Sequence, residues 1–207
     1  MPGHDPHLRD IVSPQWAALI VVDVQNDFCH EDGLFGKFGA DLRGVQSAAR
    51  RIDELLPRAR RAGVPVIFVT MEHDPLTNSS AWRHRYPTVR ADACLAGSWG
   101  AELYRVQPAP GESVVVKHRY SPFVGANIEY LLRAKERRSL LVAGVATNIC
   151  VESVLRDGFM RDYHVVLVED CAGAYSEQAH RSTVENTQAF LGRVVDSGIL
   201  HTLWPRG

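Results

Sequence analysis

The sequence predicts an α/β fold: a three-layer α/β/α sandwich around a six-stranded, mostly parallel sheet. Short apolar runs lie along the chain, and their continuous hydrophobicity is typical of strands that are buried on both faces. Segments whose apolar residues recur at helical spacing separate most of these runs. Because strands and helices alternate, neighbouring strands should pair in parallel through right-handed crossovers.

The predicted strands follow from these apolar runs and from the breakers that bound them. Pro65 stands at the beginning of the second strand, where a strand tolerates proline. The strands are predicted at 16–22, 64–70, 114–116, 140–144, 164–170 and 193–195. Ile199 and Leu200 are expected to complete the sheet edge beside the last strand.

The predicted helices carry apolar residues three and four positions apart. Segment 41–61 has such a stripe, a basic outer face and Gly63 as a stop signal. Further helices are predicted at 127–138, 151–160 and 177–191. The polar stretch 71–97 is longer than an ordinary connection, which favours a pocket wall or a lid.

Length, composition and charge limit the class of protein. With 207 residues, 45% of them apolar, the chain should form a single domain over 15–207 after an N-terminal arm, 1–14. The net charge of −1 offers no basic surface for nucleic acid, and no apolar run approaches the roughly 18 residues that a membrane helix needs. The start lacks a secretory pattern and the four cysteines are scattered, so a reducing, cytoplasmic location is expected.

Three polar residues lie at or just beyond the ends of predicted strands. Asp23 and Lys117 each follow an apolar strand, and Cys150 closes the turn after a third. Because the carboxyl ends of parallel strands share one edge of a sheet, these side chains can converge. Taken singly, each has an ordinary explanation: a capping carboxylate, a solvated cation or a buried structural cysteine. Their joint occurrence favours a functional site.

The three residue types suit nucleophilic catalysis. Cys150 is predicted at a helix N-terminus, where free N–H groups and the helix dipole stabilise a thiolate, and Lys117 should stabilise it further. Asp23 would accept the thiol proton and return it to a leaving amine. The turn 144–147 offers backbone N–H groups as an oxyanion hole. The pattern is therefore consistent with a cysteine nucleophile.

At these residues the chain resembles a known family, the isochorismatase-like cysteine hydrolase superfamily. The resemblance runs from about Ala17 to Gly198, nearly the whole chain. The matching motifs are Ile20-Val-Val-Asp-Val-Gln-Asn-Asp-Phe28, the strand that ends in Lys117, and Gly144-Val-Ala-Thr-Asn-Ile-Cys-Val-Glu-Ser153 with Arg156-Asp-Gly158.

The resemblance implies a Rossmann-like six-stranded parallel sheet and an Asp–Lys–Cys triad at Asp23, Lys117 and Cys150. It also implies a cis peptide bond between Val145 and Ala146, which would aim the amides of Ala146 and Cys150 at the substrate carbonyl as an oxyanion hole.

Within the superfamily the motifs look most like those of ureidoacrylate amidohydrolases, and biuret and N-carbamoylsarcosine hydrolases are more distant. Isochorismatases typically lack the cysteine, so Cys150 favours hydrolysis of an amide or ureide through a thioester, with release of ammonia or an amine. Nicotinamidases carry an Asp-x-His metal motif after the second strand, and here the pattern is broken. No metal or other cofactor is therefore expected, with Glu72, His73 and Asp74 as the minority alternative.

The substrate pocket is predicted with less support from the sequence. Phe28, Trp82 and Tyr120 would stack on a small planar substrate, and His73 or Arg119 would meet a carboxylate; core packing of the aromatic rings is the alternative. The expected partner is a small-molecule substrate, with no nucleic acid or membrane, and analogy to the superfamily implies a homodimer or homotetramer. Alternative functions are a nicotinamidase-type or isochorismatase-type hydrolase, or a catalytically silent binding protein.

Overall fold

Six strands form the central sheet of the computed structural model, which describes residues 5–84 and 93–204. They are β1 (Ala17–Val22), β2 (Val66–Met71), β3 (Ser113–Lys117), β4 (Ser139–Val145), β5 (His164–Gly173) and β6 (Arg193–Val195). The strand order is β3-β2-β1-β4-β5-β6, and every neighbouring pair is parallel. The predicted α/β fold with a six-stranded parallel sheet is confirmed.

Helices pack on both faces of the sheet. They are α1 (Leu8–Ile11), α2 (Asn26–Cys29), α3 (Leu34–Lys37), α4 (Arg43–Arg61), α5 (Ser80–Arg83), α6 (Ile128–Ala134), α7 (Glu152–Phe159), α8 (Glu177–Asn186) and α9 (Ser197–Leu203). Helices α4 and α9 contribute to the core on one face, and α6 and α7 to the core on the other. Strand β1 is buried along its whole length because it separates these two cores.

The sheet order places a topological switch point between β1 and β4. From β1 the chain builds outward through β2 and β3, then returns to add β4, β5 and β6 on the other side. Ligands of open parallel sheets bind in the crevice at such a switch point, beyond the carboxyl ends of the strands. The ends of β1 and β4 are therefore the first place to look for a site.

The described part of the predicted N-terminal arm, residues 5–14, lies against the domain. Ile11 and Val12 are buried in the core, and the Asp5 carboxylate accepts a hydrogen bond from Arg193 at 2.8 Å. The indole of Trp204 donates to the carbonyl of Val12 at 2.8 Å, which ties the two ends of the described chain together.

One predicted edge element is wrong. Ile199 and Leu200 belong to helix α9 and not to the sheet, which ends at β6 on this side. The Asp196 side chain caps α9 by accepting a hydrogen bond from the Gly198 amide at 2.7 Å, which starts a helix immediately after β6. Leu200 is then buried on the core shared with α4.

Two predicted helices end differently from the expectation. Helix α6 stops at Ala134 because the chain turns at Glu136, which has a φ of 52°. Helix α8 ends at Asn186, and the chain continues as a wider helical turn over Thr187–Leu191. Among the helices of the described residues, none combines the length and the apolar character that crossing a membrane requires.

Candidate active site

Three strand ends bring Asp23, Lys117 and Cys150 together at the switch point. Asp23 follows β1 directly, Lys117 is the last residue of β3, and Cys150 lies in the helical turn Thr147–Val151 between β4 and α7. The Lys117 ammonium donates to Asp23 Oδ2 at 2.7 Å and lies 3.5 Å from Cys150 Sγ. The structure thus joins the three residues that the sequence proposed, although 94 positions separate Asp23 from Lys117.

All three side chains are shielded from water. Lys117 is 0% exposed, Asp23 1% and Cys150 6%. Asp23 Oδ1 has no hydrogen-bond partner among the described residues, whereas Oδ2 is bonded to Lys117. Removing two charged groups from water costs desolvation free energy, which their mutual attraction often fails to repay. The burial of this ion pair therefore favours a functional role over a purely stabilising one.

Burial controls the protonation of the site. Burial raises the pKa of Asp23 above its ordinary value, and the charge of Lys117 opposes the shift. Burial alone would lower the pKa of Lys117, but the neighbouring Asp23 and Cys150 raise it, so the ammonium is retained. Burial therefore prevails over the ion pair at Asp23, whereas the neighbouring negative groups prevail over burial at Lys117.

The sequence analysis expected the helix start and Lys117 to lower the pKa of the Cys150 thiol, but its surroundings raise it. Burial and the negative charge of Asp23 raise the pKa of the Cys150 thiol, and the opposing effect of Lys117 is smaller. The sequence argument counted the cation and the helix start but not the loss of water around the sulfur. The surroundings in the free protein therefore favour the thiol form of Cys150 over the thiolate.

The turn after β4 brings the backbone close to the site. Gly144 has a φ of 127°, and a Cβ at this position would lie 2.1 Å from the Val22 carbonyl oxygen, so only glycine lets β4 approach β1 here. The peptide bond between Val145 and Ala146 is cis. Ala146 precedes the helical turn, and Cys150 is the fourth residue of that turn, one turn inside the helix start.

A cavity of about 100 Å³ adjoins Cys150. Aromatic side chains dominate its wall, and the polar groups are few. The residues that line it are Asp23, Phe28, Phe35, Met71, His73, Trp82, Ala93, Tyr120, Val145, Ala146, Ile149, Cys150 and Tyr175. Phe28, His73, Trp82 and Tyr120 therefore lie where the sequence analysis placed them.

Arg119 is the predicted pocket residue that does not line this cavity. Its guanidinium lies 5.2 Å from the ring centroid of Trp82 and donates to the carbonyl of Thr77 at 3.1 Å. The side chain turns to the indole because a cation–π contact and backbone carbonyls are both available there. Arg119 supports the wall of the cavity through Trp82.

The loop after β2 forms part of the wall. The Trp82 indole donates to His73 Nδ1 at 3.1 Å, and Asn78 Oδ1 lies 3.2 Å from the same nitrogen. Trp82 lies on α5, whose start is capped by the Ser79 hydroxyl. The described part of segment 71–97 therefore supplies a wall, as predicted, and residues 85–92 lie outside the described residues.

The minority metal site is not formed by the described side chains. His73 bonds within the wall, while Asp74 Oδ1 accepts the amides of Leu76 and Thr77 at 2.6 and 3.0 Å in a local turn. Across residues 5–84 and 93–204, no group of three His, Cys, Asp or Glu side chains is placed to hold a metal ion.

Several residues that shape the site were missed by the sequence analysis. The Gln25 side chain donates to the carbonyls of Met71 and Ala101 at 2.9 and 2.7 Å, and its oxygen accepts the Met71 amide. Asp27 accepts the amide of Cys94 at 2.6 Å. Gln25 and Asp27 follow Asp23 so closely that a polar run after a strand could have indicated them. Phe35 and Tyr175 left no comparable signal.

Selective alkylation tests the accessibility of the sulfur. Iodoacetamide is expected to modify Cys150 before Cys29, Cys94 and Cys171, because Cys150 lines the cavity while the other three are 0% exposed. Since the pKa of the thiol is raised, the rate should still be increasing with pH up to about pH 9. Peptide mass mapping measures the order in which the cysteines are modified and the pH dependence of the Cys150 rate. Earlier modification of another cysteine would contradict the accessibility of Cys150. A Cys150 rate that is flat across neutral pH would contradict the raised pKa.

The sequence of the chain matches a known protein family. A family model described as the isochorismatase domain matches residues 17–198. The chain belongs to the isochorismatase family. The family assignment confirms the resemblance that was carried by the motifs around Asp23 and Cys150.

The relatives of this isochorismatase-family chain include several with named activities. Ureidoacrylate amidohydrolase RutB of Methylobacterium radiotolerans is 34% identical over 201 residues, covering 89% of this chain and 78% of that protein. RutB of Variovorax paradoxus is 36% identical over 194 residues, covering 86% and 77%. The crystal structure of a cysteine hydrolase from Pseudomonas syringae pv. phaseolicola superposes with a TM-score of 0.81 at 25% identity, covering 92% of each chain.

Proposed function

We propose that the chain is an amidohydrolase that cleaves the C–N bond of a small amide or ureide through a thioester on Cys150. The observation that carries the proposal is the buried Lys117 ammonium, bonded to Asp23 and 3.5 Å from the sulfur that lines the cavity. The names of the relatives supply the reaction class, since RutB proteins are ureidoacrylate amidohydrolases.

The first half of the reaction acylates Cys150. We assign to Asp23 the role of accepting the proton of the Cys150 thiol as the sulfur attacks the carbonyl carbon, since the pKa of that thiol is raised. The raised pKa of Asp23 brings this base closer to the working pH. Lys117 stabilises the developing thiolate, and the backbone amides of Ala146 and Cys150 are assigned to the carbonyl oxygen, as in the family pattern.

The second half releases the amine and restores the thiol. Asp23 returns the proton to the leaving nitrogen as the C–N bond breaks, which leaves a thioester and a free amine or ammonia. Water then attacks the thioester with Asp23 as the base, and the acid product leaves as Cys150 regains its proton. From a ureide, the acyl product is a carbamate, which decomposes to carbon dioxide and an amine or ammonia.

The cavity indicates the shape of the substrate. Its volume of about 100 Å³ suits a small compound, and Phe28, Trp82 and Tyr120 present aromatic surface to it. Amide and ureide groups are planar and pack well against such rings. A small planar amide or ureide therefore fits both the wall and the nucleophile.

A release assay tests the proposal. The purified protein would be incubated with a panel of ureides, simple amides and nicotinamide, and ammonia or amine would be quantified against the Cys150→Ala variant. Release from a ureide or small amide that depends on Cys150 is expected. The proposal fails if none of these substrates is cleaved while a vinyl ether of the isochorismatase type is, or if nothing is cleaved although Cys150 remains open to alkylation.

Activity is expected to be independent of metal ions. His73 and Asp74 are engaged in the wall and in a local turn, and the proposed chemistry assigns every proton and charge to Asp23, Lys117 and Cys150. Dialysis against a chelator should leave the rate of ammonia release within about twofold of the untreated protein. A large loss that zinc or iron restores would show that the region after β2 holds a metal.

A further inference from the structure

A second, larger cavity lies beside the catalytic one. Its volume is about 680 Å³, against about 100 Å³ for the cavity at Cys150. It lies between the beginning of α4, the end of β5 and the beginning of α8, and its wall is charged, with Arg43, Arg51, Glu169 and Glu177 among the lining residues. The two cavities differ in polarity as well as in size.

Tyr175 lies where the two cavities meet. Among the described residues it is the one residue that lines both cavities, and its ring contacts Phe35 on the side of the catalytic cavity. It follows the end of β5 by two residues, and Gly173 at that end packs so closely on α4 that an added Cβ would lie 2.4 Å from the Gly44 carbonyl oxygen. The backbone that carries Tyr175 is therefore fixed against α4.

The Tyr175 side chain is also held at both its ring and its hydroxyl. The hydroxyl donates to the carbonyl of Phe28 at 3.0 Å. The ring stacks on Phe35, with centroids 4.8 Å apart and an interplanar angle of 11°, and Phe35 in turn meets Phe28 edge-on at 5.5 Å. Three contacting aromatic side chains thus close one side of the catalytic cavity.

We infer that Tyr175 is a specificity-determining partition that sets the size limit of the substrate by closing the catalytic cavity against the charged one. The inference rests on the proposed function for its substrate class, which is small amides and ureides without a bulky substituent. Removing the ring would join the cavities and admit compounds whose substituent extends into the charged space. A polar substituent would remain solvated there, so the larger cavity can accept it without a desolvation penalty.

Alkylating probes of increasing size test the partition without requiring turnover. The rate of Cys150 modification would be measured by peptide mass mapping with iodoacetamide and with N-(4-carbamoylbenzyl)iodoacetamide, whose substituent is both bulky and polar. The ratio of the two rates would then be compared between variants. The wild-type protein should strongly favour the small probe. Tyr175→Ala should narrow that ratio by about tenfold or more, in line with what a hydrophobic pocket gains by excluding extra carbon atoms.

Matched variants separate the ring from its hydrogen bond. Tyr175→Phe loses the bond to the Phe28 carbonyl but keeps the ring, so it should retain the wild-type ratio. If the alanine variant does not fold, Tyr175→Leu replaces it, because leucine keeps an apolar side chain but lacks the ring. This variant should also narrow the ratio of the two alkylation rates. An unchanged ratio in a folded Tyr175→Ala or Tyr175→Leu protein overturns the inference.

The ratio of alkylation rates tests the role of Tyr175, and the release assay separately tests the proposed amidohydrolase function. If the ratio narrows as expected while no amide or ureide is cleaved by any variant, the partition stands and the proposed amidohydrolase function falls. If small amides are cleaved but removal of the ring changes neither the probe ratio nor the acceptance of N-substituted amides, the function stands and the partition is wrong.

Discussion

Replacing Cys150 with alanine is expected to abolish turnover while the protein stays folded. The sulfur is the proposed nucleophile, and loss of such a group in enzymes that act through a covalent intermediate lowers kcat by about 10⁴-fold or more. The substitution removes one sulfur atom from the cavity wall, so the sheet around it should be unaffected. Ammonia release and circular dichroism measure the two parts of the prediction.

The matched control is Cys171→Ala. Cys171 is a second buried cysteine, at 0% exposure; it lies on β5 and does not line the catalytic cavity. It should retain activity within a few-fold of the wild type, with a loss of stability typical of a small buried truncation. Appreciable turnover by Cys150→Ala would contradict the covalent mechanism, whatever the control does.

Asp23→Asn and Lys117→Met are expected to differ in their effects on the alkylation of Cys150, although both should lower turnover. The charge of Asp23 raises the pKa of the Cys150 thiol, so its removal should keep or increase the rate of alkylation near neutral pH. Turnover should nevertheless fall by about 10²–10⁴-fold, because nothing then moves the proton from sulfur to the leaving nitrogen. Near wild-type turnover by Asp23→Asn would show that this carboxylate has a structural role alone.

Lys117→Met should instead lower alkylation and stability together. Lys117 lowers the pKa of the thiol, so its loss should leave less thiolate at every neutral pH. It also leaves Asp23 as a buried carboxylate without its partner, a change that typically costs about 3–5 kcal/mol. Since burial already raises the pKa of Asp23, the folded variant binds a proton more readily than the unfolded chain. The loss of stability should therefore grow as the pH rises through the folded-state pKa of Asp23 and shrink as the pH falls.

The double variant Asp23→Asn/Lys117→Met is the control for this charge argument. Removing both charges leaves no unpaired ion in the interior, so chemical denaturation should show it to be more stable than Lys117→Met alone at neutral pH. Equal stability of the single and double variants would mean that the unpaired carboxylate is not the cause of the loss.

The sequence was most informative where burial imposes a regular pattern. Strands buried on both faces must be continuously apolar, so a polar residue such as Asp23 or Lys117 at the end of one stands out. The sheet then brings such ends to one edge, which is why three residues distant in sequence could be proposed as one site. The family motif around Cys150 added the cis bond between Val145 and Ala146.

The remaining features depend on surroundings that periodicity does not encode. Burial is the largest cause of the raised pKa of Cys150, and a list of nearby charges omits it. Arg119 had two possible targets, and only the folded loop shows that it packs on Trp82. Ile199 and Leu200 were predicted as strand residues because the sequence alone does not show that Asp196 caps a helix. Tyr175 is recognisable only once two cavities are seen on either side of it.

The central claim, a thioester on Cys150, is tested most directly by the mass of the Cys150 peptide during turnover. Samples quenched with acid within the first turnover on a cleaved amide or ureide should carry an adduct on Cys150. Its mass should equal that of the substrate less the released amine, and hydroxylamine in competition with water should yield the corresponding hydroxamate. Amine release with Cys150 unmodified at every time, and with no hydroxamate formed, would contradict the account.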